Sequence, residues 1–197
     1  MQRRQFHRGL LASAAVATLP GLIACSKQPD ASPPPAPPID LAQAYDTVAA
    51  QGKGFTVGSM MAASPVYVFF DPQCPHCAHL WQASLMLHAQ VKFVWLPVAF
   101  LGPKSLPQGA ALLQSPQPLE AMSAHERSLL AGEGGSAASA SIPAEIEDAI
   151  QANTQLLNRL GAESVPFVVA RHRGSGQVLT RAGAMGSAEL AGFLGLS

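Results

Sequence analysis

The chain has 197 residues, with 12 Lys+Arg balanced by 12 Asp+Glu and a formal charge of zero. That length fits one domain of ordinary size, and that balance argues against a nucleic-acid binder built on a basic face. Only three cysteines are present, so the role of each is informative.

The chain opens MQRRQFHRGLLASAAVATLPGLIAC, with Arg3, Arg4 and Arg8 ahead of an apolar stretch from Leu10 to Ala24. This is the layout of an export signal over residues 1–24. The arginine pair followed by Phe6 resembles the twin-arginine type. Leu22-Ile23-Ala24-Cys25 resembles the lipobox of bacterial lipoproteins, which implies that Cys25 carries lipid and becomes the first mature residue. A plain secretory signal with a chance cysteine and a retained membrane anchor are the alternatives; the apolar run is short for a span and is broken by Pro20. Cleavage before Cys25 removes three arginines and no acid, leaving nine basic residues against 12 acidic ones. A mildly acidic exported protein has no sequence-level reason to bind nucleic acid.

Residues 25–40 form a proline-rich tether, SKQPDASPPPAPP at its centre, expected to be extended and partly stiff. An untethered tail would have the same composition. Residues 41–60 follow as a short segment: a helix over Leu41–Ala50, a QGKG turn and a strand over Phe55–Val57. The main domain is expected over 61–197. Pro65–Phe70, rich in valine and aromatics, reads as a buried central strand ended by Asp71 and Pro72. Pro75 suits the first turn of a helix whose body is Ala78–Ala89. Val91–Val98 is the next strand, with Pro97 at its end or at a sheet edge.

A helical insertion spans about 105–160, with helices over Ser105–Ser115, Pro118–Ala131 and Pro143–Leu160. Ile146, Ala149, Ile150, Leu156, Leu157 and Leu160 share one apolar stripe in the last of them. Gly132–Ser141, GEGGSAASAS, reads as a flexible surface loop. Strands return at Pro166–Ala170 and Gln177–Thr180 around a turn at Gly174–Gly176, and Ser187 is placed to cap a closing helix through Leu194. The fold class is α/β.

Cys74 and Cys77 enclose only Pro75 and His76. A structural staple across so short a gap would restrict the unfolded chain little, and export places the pair in an oxidising compartment. The pair therefore reads as chemistry. Cys74, at the mouth of a helix, meets free N–H groups that favour the thiolate; Cys77, one turn on, can attack a mixed disulfide at Cys74. Pro75 pre-shapes the turn, and His76 can set an N–H or a positive charge beside the sulfur. A stabilised thiolate leaves easily, which points to an oxidising pair. No cofactor beyond a redox-active Cys74–Cys77 disulfide is required.

A zinc site is the main rival, but a second CxxC is absent and His79 and His88 lack zinc-finger spacing. No metal is expected. His79 is read as an exposed rim residue, His88, His125 and His172 as ordinary surface or boundary residues, and Trp81 and Trp95 as packing residues. Val165-Pro166 opens a strand with a residue that lacks an N–H; read alone, Pro166 is a strand-edge proline, with a cis bond as the minority alternative.

Taken together, FFDPQCPHC, the helical insertion and LGAESVPFVV resemble the periplasmic thioredoxin-fold thiol:disulfide interchange proteins of the DsbC/DsbG type, closest to the DsbG catalytic domain. The resemblance covers roughly Tyr67–Leu196. It implies a thioredoxin-like fold, Cys74 as an exposed nucleophile, Cys77 as resolving cysteine, Pro166 as a cis-proline facing the pair, and Val165 as a backbone site for a substrate strand. It further implies exported cysteine-containing proteins and a membrane redox protein as partners. Two features depart from the family. Residues 26 to about 60 leave no room for its dimerisation domain, so a monomer is expected, and CPHC with valine before the proline resembles DsbA, where DsbC and DsbG usually have threonine.

Overall fold

The computed structural model describes residues 36–136 and 138–196. The expected signal, Cys25 and the tether up to residue 35 lie outside the described residues. The remainder folds around a five-stranded mixed sheet, β1 (Phe55–Gly58), β2 (Val66–Phe70), β3 (Lys92–Pro97), β4 (Phe167–Arg171) and β5 (Val178–Ala182), in the order β1-β3-β2-β4-β5. β2 and β3 are parallel, whereas β1 on β3, β4 on β2 and β5 on β4 are antiparallel.

The all-apolar VYVFF run becomes the central strand because its side chains are covered on both faces: all five residues of β2 are buried. Each such side chain contributes about 2 kcal/mol from burial. β3 also lies inside the sheet, so Pro97 marks a strand end and not an edge; it stands opposite Phe70, and the Val98 N–H then donates to the Phe70 carbonyl at 2.9 Å. An aromatic stack fills one side of the sheet, with Trp81 edge-on to Trp95 at 5.1 Å and Trp95 edge-on to Phe70 at 5.6 Å.

A 3₁₀ turn, Leu41–Gln43, leads into α1 (Ala44–Gln51). α2 (Pro75–Leu85) follows β2 directly. It ends four residues before the expected Ala89: the Ser84 hydroxyl donates to the Trp81 carbonyl at 2.7 Å, competing with the helical ladder, and the chain leaves through tight turns to Val91. The insertion is α3 (Ser105–Leu113), α4 (Pro118–Leu130) and α5 (Ala144–Arg159). On α5 the expected stripe carries a polar residue as well: buried Asn153 accepts from the Lys53 N–H at 2.9 Å and donates to the Lys53 and Pro97 carbonyls at 2.7 and 3.0 Å. Thr154 accepts from the Ala99 N–H at 3.0 Å. These bonds fasten the insertion to the end of β3, beside the end of β2 that carries the cysteines. α6 (Ser187–Leu194) closes the chain; Gly186, not Ser187, is its N-cap, and Ser187 is the first helical residue.

Candidate active site

Parallel β2 ends at Phe70 and delivers Asp71-Pro72-Gln73 to the mouth of α2. Asp71 is fully buried, and its carboxylate accepts four hydrogen bonds of 2.8 Å, from the Gln73, Phe100 and Leu101 N–H groups and the Ser105 hydroxyl. Its carbonyl accepts the Cys74 N–H at 3.0 Å. Asp71 therefore does more than end a strand: it ties the approach to Cys74 to the loop after β3 and to the start of α3.

Cys74 is the N-cap of α2, with extended backbone (φ −95°, ψ 110°), and Pro75 takes the first helical position, where its missing N–H costs nothing. The His76 and Cys77 N–H groups at the helix mouth face the Cys74 sulfur, and the Cys77 N–H also donates to the Cys74 carbonyl at 3.0 Å. The Cys77 thiol donates to Cys74 Sγ and is the largest influence bringing the Cys74 thiol down to about 6; burial opposes it, and the Cys77 and His76 N–H groups and the His76 side chain add to it. The His76 side chain, expected from its place between the cysteines to tune the sulfur, contributes least of these. Cys77 is pushed the other way, well above the ordinary thiol range, by its burial, by donating its hydrogen to Cys74 and by the negative charge that Cys74 carries. Both cysteines are free thiols in this structure.

The expectation of an exposed nucleophile is corrected. Cys74 is 4% exposed and Cys77 0%, because the Val165 end of the segment before β4 lies across the sulfur. The Cys74 thiol donates to the Val165 carbonyl at 3.4 Å, a bond that ionisation removes, and the Val165–Pro166 peptide is cis. The structure thus brings Cys74, Cys77, Val165 and Pro166 together. Pro75, His76 and His79 are exposed on α2, with the His76 and His79 rings 6.3 Å apart. Among the described residues, no group of three or more His, Cys, Asp or Glu side chains is arranged to hold a metal ion.

Three buried polar residues of the insertion also meet this site. Glu126, on α4, is 1% exposed, and neither carboxyl oxygen has a hydrogen-bond partner. Burial raises its carboxyl to about 9, with the negative charges of Cys74 and Asp71 adding to the effect. His125, expected at the surface or its boundary, is 0% exposed. Its Nε2 lies 2.7 Å from the Pro72 carbonyl, and its Nδ1 accepts the Ser136 N–H at 3.1 Å. Gln108 of α3 is the third, hydrogen-bonded to the Gln73 side chain. A signal for the α4 pair was present in the helical phase: Met122, His125 and Glu126 are spaced i, i+3, i+4 and form one buried face. A cavity of about 560 Å³ lies at the opposite end of the sheet, beside Val66, Arg171 and Arg173, away from the cysteines.

Thiol:disulfide interchange protein DsbG of Pseudomonas aeruginosa is 31% identical over 141 residues, 70% of this chain and 54% of the relative. The chain is a DsbG-like thioredoxin-fold protein. DsbG of Escherichia coli is 30% identical over 109 residues, 52% of this chain and 42% of the relative. This DsbG-like chain therefore spans about half the length of the relatives it matches. The catalytic domain of Proteus mirabilis ScsC superposes with a TM-score of 0.59 at 18% identity, over 78% of this chain and 96% of that domain, a likeness of fold. No family model matches the chain.

Proposed function

We propose that the chain is a periplasmic thiol:disulfide oxidoreductase in which Cys74 is the attacking and leaving sulfur, Cys77 its intramolecular partner, and oxidation of substrate dithiols the preferred direction. The observation that carries this reading is the place of the Cys74 sulfur, at the N-cap of a helix with the Cys77 thiol one turn on. Lowering the Cys74 thiol to about 6 stabilises the dithiol form of the protein and so makes its disulfide form the stronger oxidant.

In that direction a substrate thiolate attacks Cys74 Sγ of the disulfide form. The Cys74–Cys77 bond breaks, and Cys77 leaves as a thiolate that its buried surroundings disfavour. Glu126, neutral near pH 7, holds a proton that Cys77 can take. A second substrate thiolate then attacks the substrate sulfur of the mixed disulfide and expels the Cys74 thiolate. Two electrons have passed from substrate to protein, leaving a substrate disulfide and a protein dithiol. The reverse sequence has Cys77 return its proton to Glu126 before attacking Cys74. In the mixed disulfide Cys74 carries no charge, so one cause that raises the Glu126 carboxyl is gone and the acid becomes a better donor to the departing Cys77 thiolate.

Val165 and Pro166 form the wall along which an extended substrate segment would lie, with the Val165 carbonyl available to it once Cys74 ionises. The export signal over residues 1–24 supports the periplasmic placement, and Leu22–Cys25 supports a lipid on Cys25 as the membrane attachment. Palmitate labelling of the exported chain, lost in Cys25→Ala, checks the latter. The direction is tested by the reduction potential of the Cys74/Cys77 couple: a value near about −120 mV fits an oxidant, and one near about −270 mV assigns reduction of oxidised thiols instead.

A further inference from the structure

The glycine-rich stretch between α4 and α5 is read from composition as a free loop, yet part of it is fastened to the residues that carry Cys74. The Gly134 carbonyl accepts the Gln73 side-chain amide at 3.2 Å and the Gln108 amide at 3.0 Å. The Ser136 carbonyl accepts the Gln108 amide, also at 3.0 Å, and the Gln108 carbonyl oxygen accepts from Gln73. On the other side of the same turn, His125 reaches the Pro72 carbonyl. That carbonyl can only accept, so Nε2 carries the hydrogen and Nδ1 is the acceptor for Ser136, 3.1 Å from its N–H and 2.9 Å from its hydroxyl.

Gln108 is 4% exposed and His125 is 0%, so their ends of these bonds are shielded from water, and the His125 bond to the Pro72 carbonyl is buried at both ends. The loop conformation is specific to glycine at the point of contact: Gly135 has φ +86°, and a Cβ there would collide with the His125 ring. The Ser128 hydroxyl holds the Gly135 carbonyl from α4 at 3.2 Å. Two insertion helices and a loop thus close on Pro72 and Gln73, immediately ahead of the N-cap cysteine: His125 on the Pro72 carbonyl, Gln108 and Gly134 on the Gln73 side chain.

We propose that His125 and Gln108 are positioning residues for Cys74, clamping Pro72 and Gln73 through the Gly134–Ser136 backbone and so fixing the helix mouth that holds the thiolate. Neither side chain touches the sulfur. Each acts through the backbone whose placement decides whether the His76 and Cys77 N–H groups and the Cys77 thiol reach Cys74. The inference rests on Cys74 being the attacking thiolate of the proposed function.

The test follows the ultraviolet absorbance of the Cys74 thiolate against pH in the reduced full chain, together with the rate of its alkylation by iodoacetamide at a fixed mildly acidic pH. His125→Ala and Gln108→Ala are each expected to lower that rate about threefold or more and to raise the titration midpoint accordingly. His125→Gln, which keeps one donor and one acceptor, is expected to restore the rate to within about twofold of wild type. Folded variants with an unchanged midpoint overturn the proposal and leave these residues a purely structural part. Where His125→Ala does not fold, ¹⁵N imidazole shifts of the wild-type chain decide: hydrogen on Nε2 and a shift change on oxidation of the cysteines support the clamp, and the opposite tautomer or an unmoved ring overturns it. A wild-type chain with no thiolate signal in the acid range refutes the proposed function itself, a result distinct from a normal signal that ignores His125.

Discussion

The mouth of α2 and the middle of α4 each hold an acid almost wholly out of water, and the two behave oppositely. Cys74 at the helix mouth is 4% exposed and is drawn toward its charged form; Glu126 on α4 is 1% exposed and is held in its neutral form. Burial penalises the charge at both places. Donors make the difference: the Cys74 sulfur faces a thiol and two N–H groups, whereas the Glu126 oxygens have no hydrogen-bond partner. A poised thiolate beside a neutral carboxylic acid suits proton and sulfur exchange, and removing either partner should expose what the other does.

The largest effect is expected at the sulfur itself. Cys74→Ser should lower thiol exchange by about a thousandfold or more, because the hydroxyl is a poor nucleophile at neutral pH. Cys77→Ala should keep the first attack and accumulate mixed disulfides, visible as reducible adducts on gels. Absence of adducts in Cys77→Ala alongside residual exchange in Cys74→Ser would assign the first attack elsewhere.

Next in size is the support beneath the helix mouth. Asp71→Ala strands three backbone N–H groups and a hydroxyl, and should cost about 3 kcal/mol in urea unfolding. A loss below about 1 kcal/mol would mean that water replaces the carboxylate there.

The contrast with α4 is sharpened by pH. The Glu126 carboxyl rises from 4.5 to about 9 on folding, so the folded chain holds a proton that the unfolded chain has released. Its contribution to stability is fully present below pH 4.5 and is lost as pH rises toward about 9. At pH 7 the loss amounts to about 3 kcal/mol. Glu126→Gln removes this slope and should gain stability over wild type as pH rises, with no gain in acid. Cys74 contributes the opposite slope in the dithiol form: its folded value is depressed, so its stabilisation is present above the unfolded value of 9.0 and is lost as pH falls through about 6. Comparing the variants in the disulfide form, where Cys74 does not titrate, isolates the acid. There the window for Glu126 closes sooner, since the Cys74 charge is absent.

Why the two regions differ in legibility follows from the same physics. β2 and Pro75 can be read from short stretches, because an all-apolar β-branched and aromatic run and a proline at a first helical turn are local signals. The Cys74–Cys77 pair and Val165–Pro166 lie 91 residues apart from sulfur to carbonyl, and the expectation that they meet came through resemblance to a family. His125 and Glu126 were legible only as polar residues in phase with Met122 on one helix face. Which neighbour that face meets is set by tertiary packing, so a buried histidine looked like a surface one. Gly134–Ser136 misled for a related reason: glycine permits the conformation, but Gln108 and His125, distant in the chain, hold it.

The most direct test of the central claim is the titration of Cys74 in the reduced protein, followed by thiolate absorbance, in wild type and in Cys77→Ala. The account predicts a wild-type midpoint near pH 6 and a midpoint raised by about one unit or more when the Cys77 thiol is removed. A wild-type midpoint in the ordinary thiol range, about 8.5 to 9, or one that Cys77→Ala leaves unmoved, would contradict it.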